Sequence, residues 1–205
     1  EQGGNYIDLR YFPMTADDVT EVSQEVPEYL ATYVQPSALG EDTKAPAFSL
    51  DGVVYQLPCP VSEFLDNGWT ISAKSQESVG SLNQINNALT IQKGDVSLDL
   101  TVGNFGREGA LTEHCAVTEI YFYRSDLEGV AADYLQFPGG LNFASTLEEV
   151  EAACPDFNTY EGDGYASFSY NDWETTQAGV SYYFNEVDGA LVLYNIAVSC
   201  DQWNY

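Results

Sequence analysis

Hydrophobic and polar positions change period along the chain, and each change marks an element. Between Met14 and Val34, apolar Val19, Val22, Val26, Leu30 and Val34 recur every three or four residues, the spacing of an amphipathic helix. Thr15 is its N-cap, Asp17 and Asp18 lie in its first turn, and Pro27 breaks or kinks it. Ahead of it, Tyr6 to Phe12 alternates imperfectly, as a strand would. Residues 36–46, bounded by two prolines, read as a linker.

Beyond the linker the dominant period is two. Alternating Val- and Tyr-rich runs predict strands near 69–73, 88–92, 96–102 and 115–123, and again near 164–170, 179–185 and 190–199. Turn chemistry separates them at Lys93-Gly94-Asp95, at Gly103-Asn104-Phe105-Gly106 and, as the strongest hairpin signal, at Asp188-Gly189. Short helices are predicted near 60–66 and 146–153. Thr146 with Glu149 three residues on is a capping box ahead of Val150 and Ala153. Residues 48–69 can be laid without gaps on 136–157, so that Gly52 meets Gly140, Tyr55 meets Phe143, Glu63 meets Glu151 and Trp69 meets Phe157. The expected fold is therefore α+β: an N-terminal helical segment and linker over 1–46, then two helix-plus-antiparallel-meander repeats, 47–130 and 131–205, sharing one sheet.

Composition narrows the function classes. The 205 residues carry 32 acidic side chains against 6 Lys and Arg, a net charge of −26, while 44% are hydrophobic. Apolar content of that size supports a core and argues against disorder. The charge argues against nucleic acid and anionic lipid, which both need a cationic surface. No stretch approaches the ~20 apolar residues of a membrane span. From Ser125 to Tyr205 there is no Lys or Arg but there are fourteen acids, a tract closed to trypsin-like cleavage and suited to solubility in a secreted protein. The chain starts at Glu1, without Met or an apolar leader, as after removal or omission of a signal segment.

Cys59, Cys115, Cys154 and Cys200 form an even set with no C-x-x-C among them. Two structural disulfides in an oxidising compartment are favoured over a zinc site, which would need all four or some with the single His114. Matching helix start with strand start and helix end with strand end pairs Cys59 with Cys115 and Cys154 with Cys200; two other pairings stay open.

A short helix followed by an antiparallel meander, in tandem, resembles the β-lactamase-inhibitor-protein fold, which outer-membrane assembly lipoproteins carry in one copy. Ser145-Thr-Leu-Glu-Glu-Val150 looks like the helix opening of those modules. Leu50-Asp-Gly-Val-Val-Tyr-Gln-Leu-Pro58, with Asn67-Gly-Trp69, resembles segments of secreted lipoproteins of Gram-positive gut anaerobes. The resemblance covers about residues 48–201. It implies a secreted or envelope-anchored protein, with a lipid-bearing cysteine just before Glu1, and it transfers no inhibitory residue.

Enzymatic signatures are weak. His114 beside Cys115 reads as a turn histidine rather than a catalytic base. Asp17/Asp18, Asp95/Asp99 and Glu148/Glu149 are adjacent carboxylates in a chain full of them. Glu161, Asp163, Asn171 and Asp172 lack calcium-loop spacing. No phosphate-binding glycine loop is present, and no cofactor is expected. Aromatic side chains carry more information. Trp173, Tyr165, Tyr170 and Tyr182 are the candidates for an exposed platform on the open sheet face, in a non-enzymatic protein that binds an unidentified protein or glycan. A carboxylate-dependent carbohydrate hydrolase and an envelope structural module are the competing classes.

Overall fold

Segments with a period of two become the strands of an antiparallel sheet that dominates the structure, a computed structural model in which residues 22–80, 82, 87–172, 174–175 and 177–203 are described. In chain order the elements are β1 (Val22–Ser23), β2 (Ala47–Leu50), β3 (Val53–Gln56), β4 (Cys59–Pro60), α1 (Val61–Asp66), β5 (Thr70–Lys74), β6 (Ser78–Val79), β7 (Ala88–Lys93), β8 (Val96–Gly103), β9 (Gly109–Leu111), β10 (Ala116–Tyr123), β11 (Leu135–Gln136), α2 (Leu147–Ala153), β12 (Asn158–Gly162), β13 (Tyr165–Asp172), β14 (Ala178–Val187) and β15 (Ala190–Cys200). Short 3-10 turns occupy Glu28–Thr32, Thr112–His114, Arg124–Leu127 and Pro138–Gly140.

The large sheet has nine strands, ordered β12-β13-β14-β15-β10-β8-β7-β5, with β4 added beside β10. β10 and β15 are distant in sequence but pair in the middle of the sheet, Ile120 opposite Val198 and Phe122 opposite Ile196. Between β14 and β15, Asp188 and Gly189 both take positive φ (52° and 82°), the two-residue turn whose twist matches its strands. Smaller three-stranded sheets are formed by β11-β2-β3 and β1-β9-β6.

This architecture corrects the expected α+β class. Strands hold 47% of the described residues and helices of every kind 16%. The two α-helices have six and seven residues and bury only Val61 and Phe64 from α1 and Val150 from α2, too little for a helical layer. No N-terminal helix forms through Val22, Val26, Leu30 and Val34. β1 is followed by a 3-10 turn that buries Leu30 alone, leaving Val26 and Val34 59% and 73% exposed. Pro27 is the reason: its extended backbone (φ −59°, ψ 136°) cannot carry an α-helix through the pattern. Val19, Thr15 and the strand expected at Tyr6–Phe12 lie outside the described residues. The segments laid on each other by sequence also differ in structure. Residues 47–56 form the hairpin β2–β3, whereas the matching stretch yields only the two-residue β11, which joins that hairpin with Leu135 opposite Leu50.

Local signals fared better than the global class. β7, β8, β10, β13, β14 and β15 fall within two residues of the predicted strands, and the edge strand β12 is an addition. The capping box at α2 is made: Glu149 N–H donates to Thr146 Oγ1 (3.2 Å) and Thr146 N–H to Glu149 Oε2 (2.9 Å).

The core lies between the large sheet and the elements over its inner face, and an unbroken run of rings connects them. Phe64 of α1 stacks on Tyr55 of β3 at 4.3 Å, and Tyr55 on Phe48 of β2 at 5.5 Å. Phe48 meets Phe122 of β10 edge-on at 5.0 Å, Phe122 meets Phe137 at 5.6 Å, and Phe137 meets Tyr182 of β14 at 6.0 Å. All six side chains are fully buried. Phe122 is the ring through which the small sheet reaches the large one. Phe122→Ala is expected to lower the unfolding free energy by about 3–5 kcal/mol, measured by urea denaturation; a loss below about 1 kcal/mol would mean that the two sheets do not share one core.

Candidate functional site

Strand β10 decides which residues face away from the core. Ile120 and Phe122 are buried, so alternation sends Glu119, Tyr121 and Tyr123 to the opposite face of the sheet. Tyr121 and Tyr123 are 38% and 43% exposed there. Register then extends the face across four more strands. Tyr123 is opposite Asn195 on β15, Asn195 opposite Tyr183 on β14, Tyr183 opposite Ser167 on β13, and Ser167 opposite Tyr160 on β12. Cross-strand partners share a face, so Tyr123, Tyr183 and Tyr160 form one row about 20 Å long at ordinary strand spacing.

Two further rings flank the row. Tyr165 sits 6.0 Å from Tyr160, which at 66% exposure is the most open ring of the group. Tyr194 is the extra residue of a bulge in β15, where pairing passes from Tyr183–Asn195 to Phe184–Leu193, and its ring lies 6.5 Å from Tyr183. Tyr121 brings the cluster to six tyrosines on five adjacent strands. Asn195 anchors it from beneath, donating from Nδ2 to the Phe122 carbonyl at 3.1 Å.

Carboxylates border the cluster. Glu119 accepts from Thr101 Oγ1 at 3.2 Å and is also hydrogen-bonded by Tyr121. Burial pushes the Tyr121 phenol above its ordinary value, and the bond to Glu119 pushes the same way. Tyr194 is raised first by burial and then by the neighbouring phenols of Tyr165, Tyr183 and Tyr123. Asp201, just past β15, is raised by burial and by the Glu119 charge. On β8, Asp99 accepts from Thr90 Oγ1 at 2.7 Å.

Of the four expected platform residues, only Tyr165 stands on this face. Tyr182 belongs to the opposite parity of β14 and is fully buried against Phe137 and Phe157. Tyr170 turns to the core side, 5.7 Å from Phe157 and beneath Lys44 Nζ at 5.4 Å. Trp173 lies outside the described residues. Tyr121, Tyr123, Tyr160, Tyr183 and Tyr194 were missed. Glu119 held the signal for two of them, because a carboxylate two residues before Tyr121 and four before Tyr123 marks their shared parity as the solvent side.

The cysteines correct a second expectation. All four are buried, and no two sulfurs lie at disulfide distance. Cys59 is opposite Val117, while the Cys115 carbonyl accepts from Val61 N–H at 3.0 Å, so the two residues are diagonal neighbours across β4 and β10. Diagonal α-carbons lie about 7–8 Å apart, beyond the usual reach of a disulfide. Cys154 bonds with the Thr43 side chain, and Cys200 Sγ donates to the Gln202 carbonyl at 3.6 Å. Burial pushes the Cys59 thiol well up and the Cys115 thiol to about 12, and raises Cys154 and Cys200.

Elsewhere, a cavity of about 550 Å³ opens between Tyr29 and Phe105 with Glu25, Glu28 and Glu108 on its walls. His114 ends a 3-10 turn. Glu149 is engaged in the α2 cap, and Asp172 closes a local turn by accepting from Glu174 and Thr175 N–H at 3.2 and 3.0 Å. Among the described residues no group of three His, Cys, Asp or Glu is placed to hold a metal, and no helix is long and apolar enough to cross a membrane. Comparison with protein families, with curated proteins and with solved structures finds no match to this chain.

Two measurements check this geometry. Nitration followed by peptide mapping is expected to label Tyr160 and Tyr123 first, Tyr121 later because its phenol is held protonated, and Tyr182 and Tyr55 only on unfolding; early labelling of Tyr182 would invert the assigned faces. Thiol reagents at pH 8 are expected to leave the native chain untouched and to count four thiols in denaturant. A buried thiol keeps its proton in the folded chain and sheds it more readily when unfolded. Stability is therefore full below the ordinary thiol value of 9.0 and declines as pH rises toward about 12, by up to about 1.4 kcal/mol per pH unit for each thiol, seen as a falling Tm.

Proposed function

We propose that this chain is a non-enzymatic binding protein that meets its ligand with the tyrosine row on the outer face of the large sheet. One observation carries the reading: six phenol rings gather on the face that the core does not use. Burial of apolar area accounts for Tyr55 and Tyr182, which fill the inner face, but it gives no reason for three rings more than a third exposed in one group. Tyrosine suits a recognition surface because it offers a large, stiff contact area with a polar tip at small entropic cost. The row crosses strands, as a surface for an extended ligand would, with the hydroxyl-bearing Ser167 between Tyr183 and Tyr160 and with Ser169 and Asn158 in the neighbouring row.

The experiment is a screen of immobilised glycans and peptides with the wild-type chain and with Tyr121→Ala/Tyr123→Ala, two exposed positions whose loss leaves the core intact. Ligands retained by the wild type are expected to lose at least about ten-fold in affinity with the double variant, since one stacked ring contributes about 1 kcal/mol or more. Equal retention by both proteins, with equal Tm, would overturn the reading.

A further inference from the structure

We infer that the ligand of the tyrosine row is a polypeptide segment rich in arginine and lysine; the inference rests on that row being the recognition surface. The first ground is the chemistry of the face. Phenol rings attract a cation over their faces, and carboxylates beside them supply the counter-charge. Glu119 is hydrogen-bonded to the hydroxyl of Tyr121, and Asp99 follows next along β8 from Leu100, the last residue paired with β10. Asp201 joins them at the end of β15, close enough for its carboxyl to respond to Glu119. Three carboxylates thus gather around Tyr121 at the β10 end of the row, an arrangement that fits a guanidinium or ammonium group better than a neutral sugar.

The second ground is what the face lacks. Among the described residues the cations are engaged elsewhere. Lys44 pairs with Asp156 at 2.7 Å, Lys74 with Glu77 and Glu113 at 2.7 and 3.2 Å, and Lys93 with Asp51 at 2.6 Å. Arg124 leaves β10 immediately after Tyr123, yet it turns away, donating from Nε to the Leu193 carbonyl at 3.0 Å and from Nη2 to the Phe143 carbonyl. Arg107 lies in the loop between β8 and β9. Among the described residues no cation is placed with the rings on the face, in a chain whose net charge is −26. A partner of opposite charge is steered toward such a surface and held there by the rings. The row, about 20 Å long, matches some six residues of an extended peptide.

A net charge this large attracts any polycation, so the test separates the row from the general field. Deca-arginine and a neutral cello-oligosaccharide are titrated calorimetrically at 150 mM salt, where charges more than about 8 Å apart are largely screened. The wild type is expected to bind deca-arginine with one-to-one stoichiometry. Tyr123→Ala/Tyr160→Ala, at two exposed positions, is expected to weaken it about ten-fold or more, and Glu119→Gln about three-fold or more. Glu148→Gln/Glu151→Gln, which removes two exposed acids from α2, is expected to change it less than about two-fold. Equal losses for the face and α2 variants would reduce the binding to diffuse attraction and overturn the inference together with the tyrosine reading. Binding of the oligosaccharide alone, lost in the tyrosine variant, would overturn the cationic partner and leave the tyrosine row standing as a glycan platform.

Discussion

One run of ring contacts holds this molecule's layers in place. From Phe64 through Tyr55, Phe48, Phe122 and Phe137 to Tyr182 it passes from α1 across the small sheet and onto two strands of the large one. The two α-helices are too short to cover a sheet, so aromatic side chains of the small sheet and its connections do the covering. Rings suit that task because each buries a large area and meets its neighbours edge-on or offset. The run also commits β10 and β14 to a single register. Once Phe122 and Tyr182 point inward, Tyr121, Tyr123 and Tyr183 have no option but the outer face. Core and candidate surface are thus two consequences of one packing decision.

The distribution of charge follows the same division. With 32 acids and 6 basic residues, most carboxylates have no cationic partner, and the available lysines serve local roles. Lys93 ties the end of β7 to the β2–β3 turn through Asp51 and to the Asn67 carbonyl after α1, at 2.6 and 2.7 Å. Lys44 reaches Asp156 across the α2 connection while lying over Tyr170. Exposed pairs of this kind add little stability each. Their larger effect is to keep positive charge off the outer face, which leaves Glu119 and the tyrosines as its chemistry.

Much of the local structure was legible along the chain. Strict alternation in Val96–Val102, alternation in Glu119–Tyr123, the Asp188-Gly189 turn and the Thr146/Glu149 cap each rest on contacts within a few residues, and each formed as expected. The N-terminal periodicity misled because Pro27 outweighs four well-spaced apolar side chains: a fixed dihedral acts at one residue, whereas an amphipathic stripe gains nothing until a partner surface covers it. The candidate site was legible only in part. In Ser181-Tyr182-Tyr183-Phe184 both parities are aromatic, so composition cannot say which tyrosine is buried. Tyr194 follows Leu193 in ordinary alternation, and only the bulge in β15 brings it beside Tyr183.

By itself the amino-acid order determined the positions of the long strands, their turns, the cap of α2 and an acidic surface short of cations, because propensity, alternation and charge act over short spans or over the whole chain. The tertiary structure decided that β10 lies against β15, that Cys59 and Cys115 stand diagonally and remain thiols, and that tyrosines from five strands share a face. Those outcomes depend on register between distant segments, and register is set by how side chains of both partners pack against a third surface, which no single segment encodes.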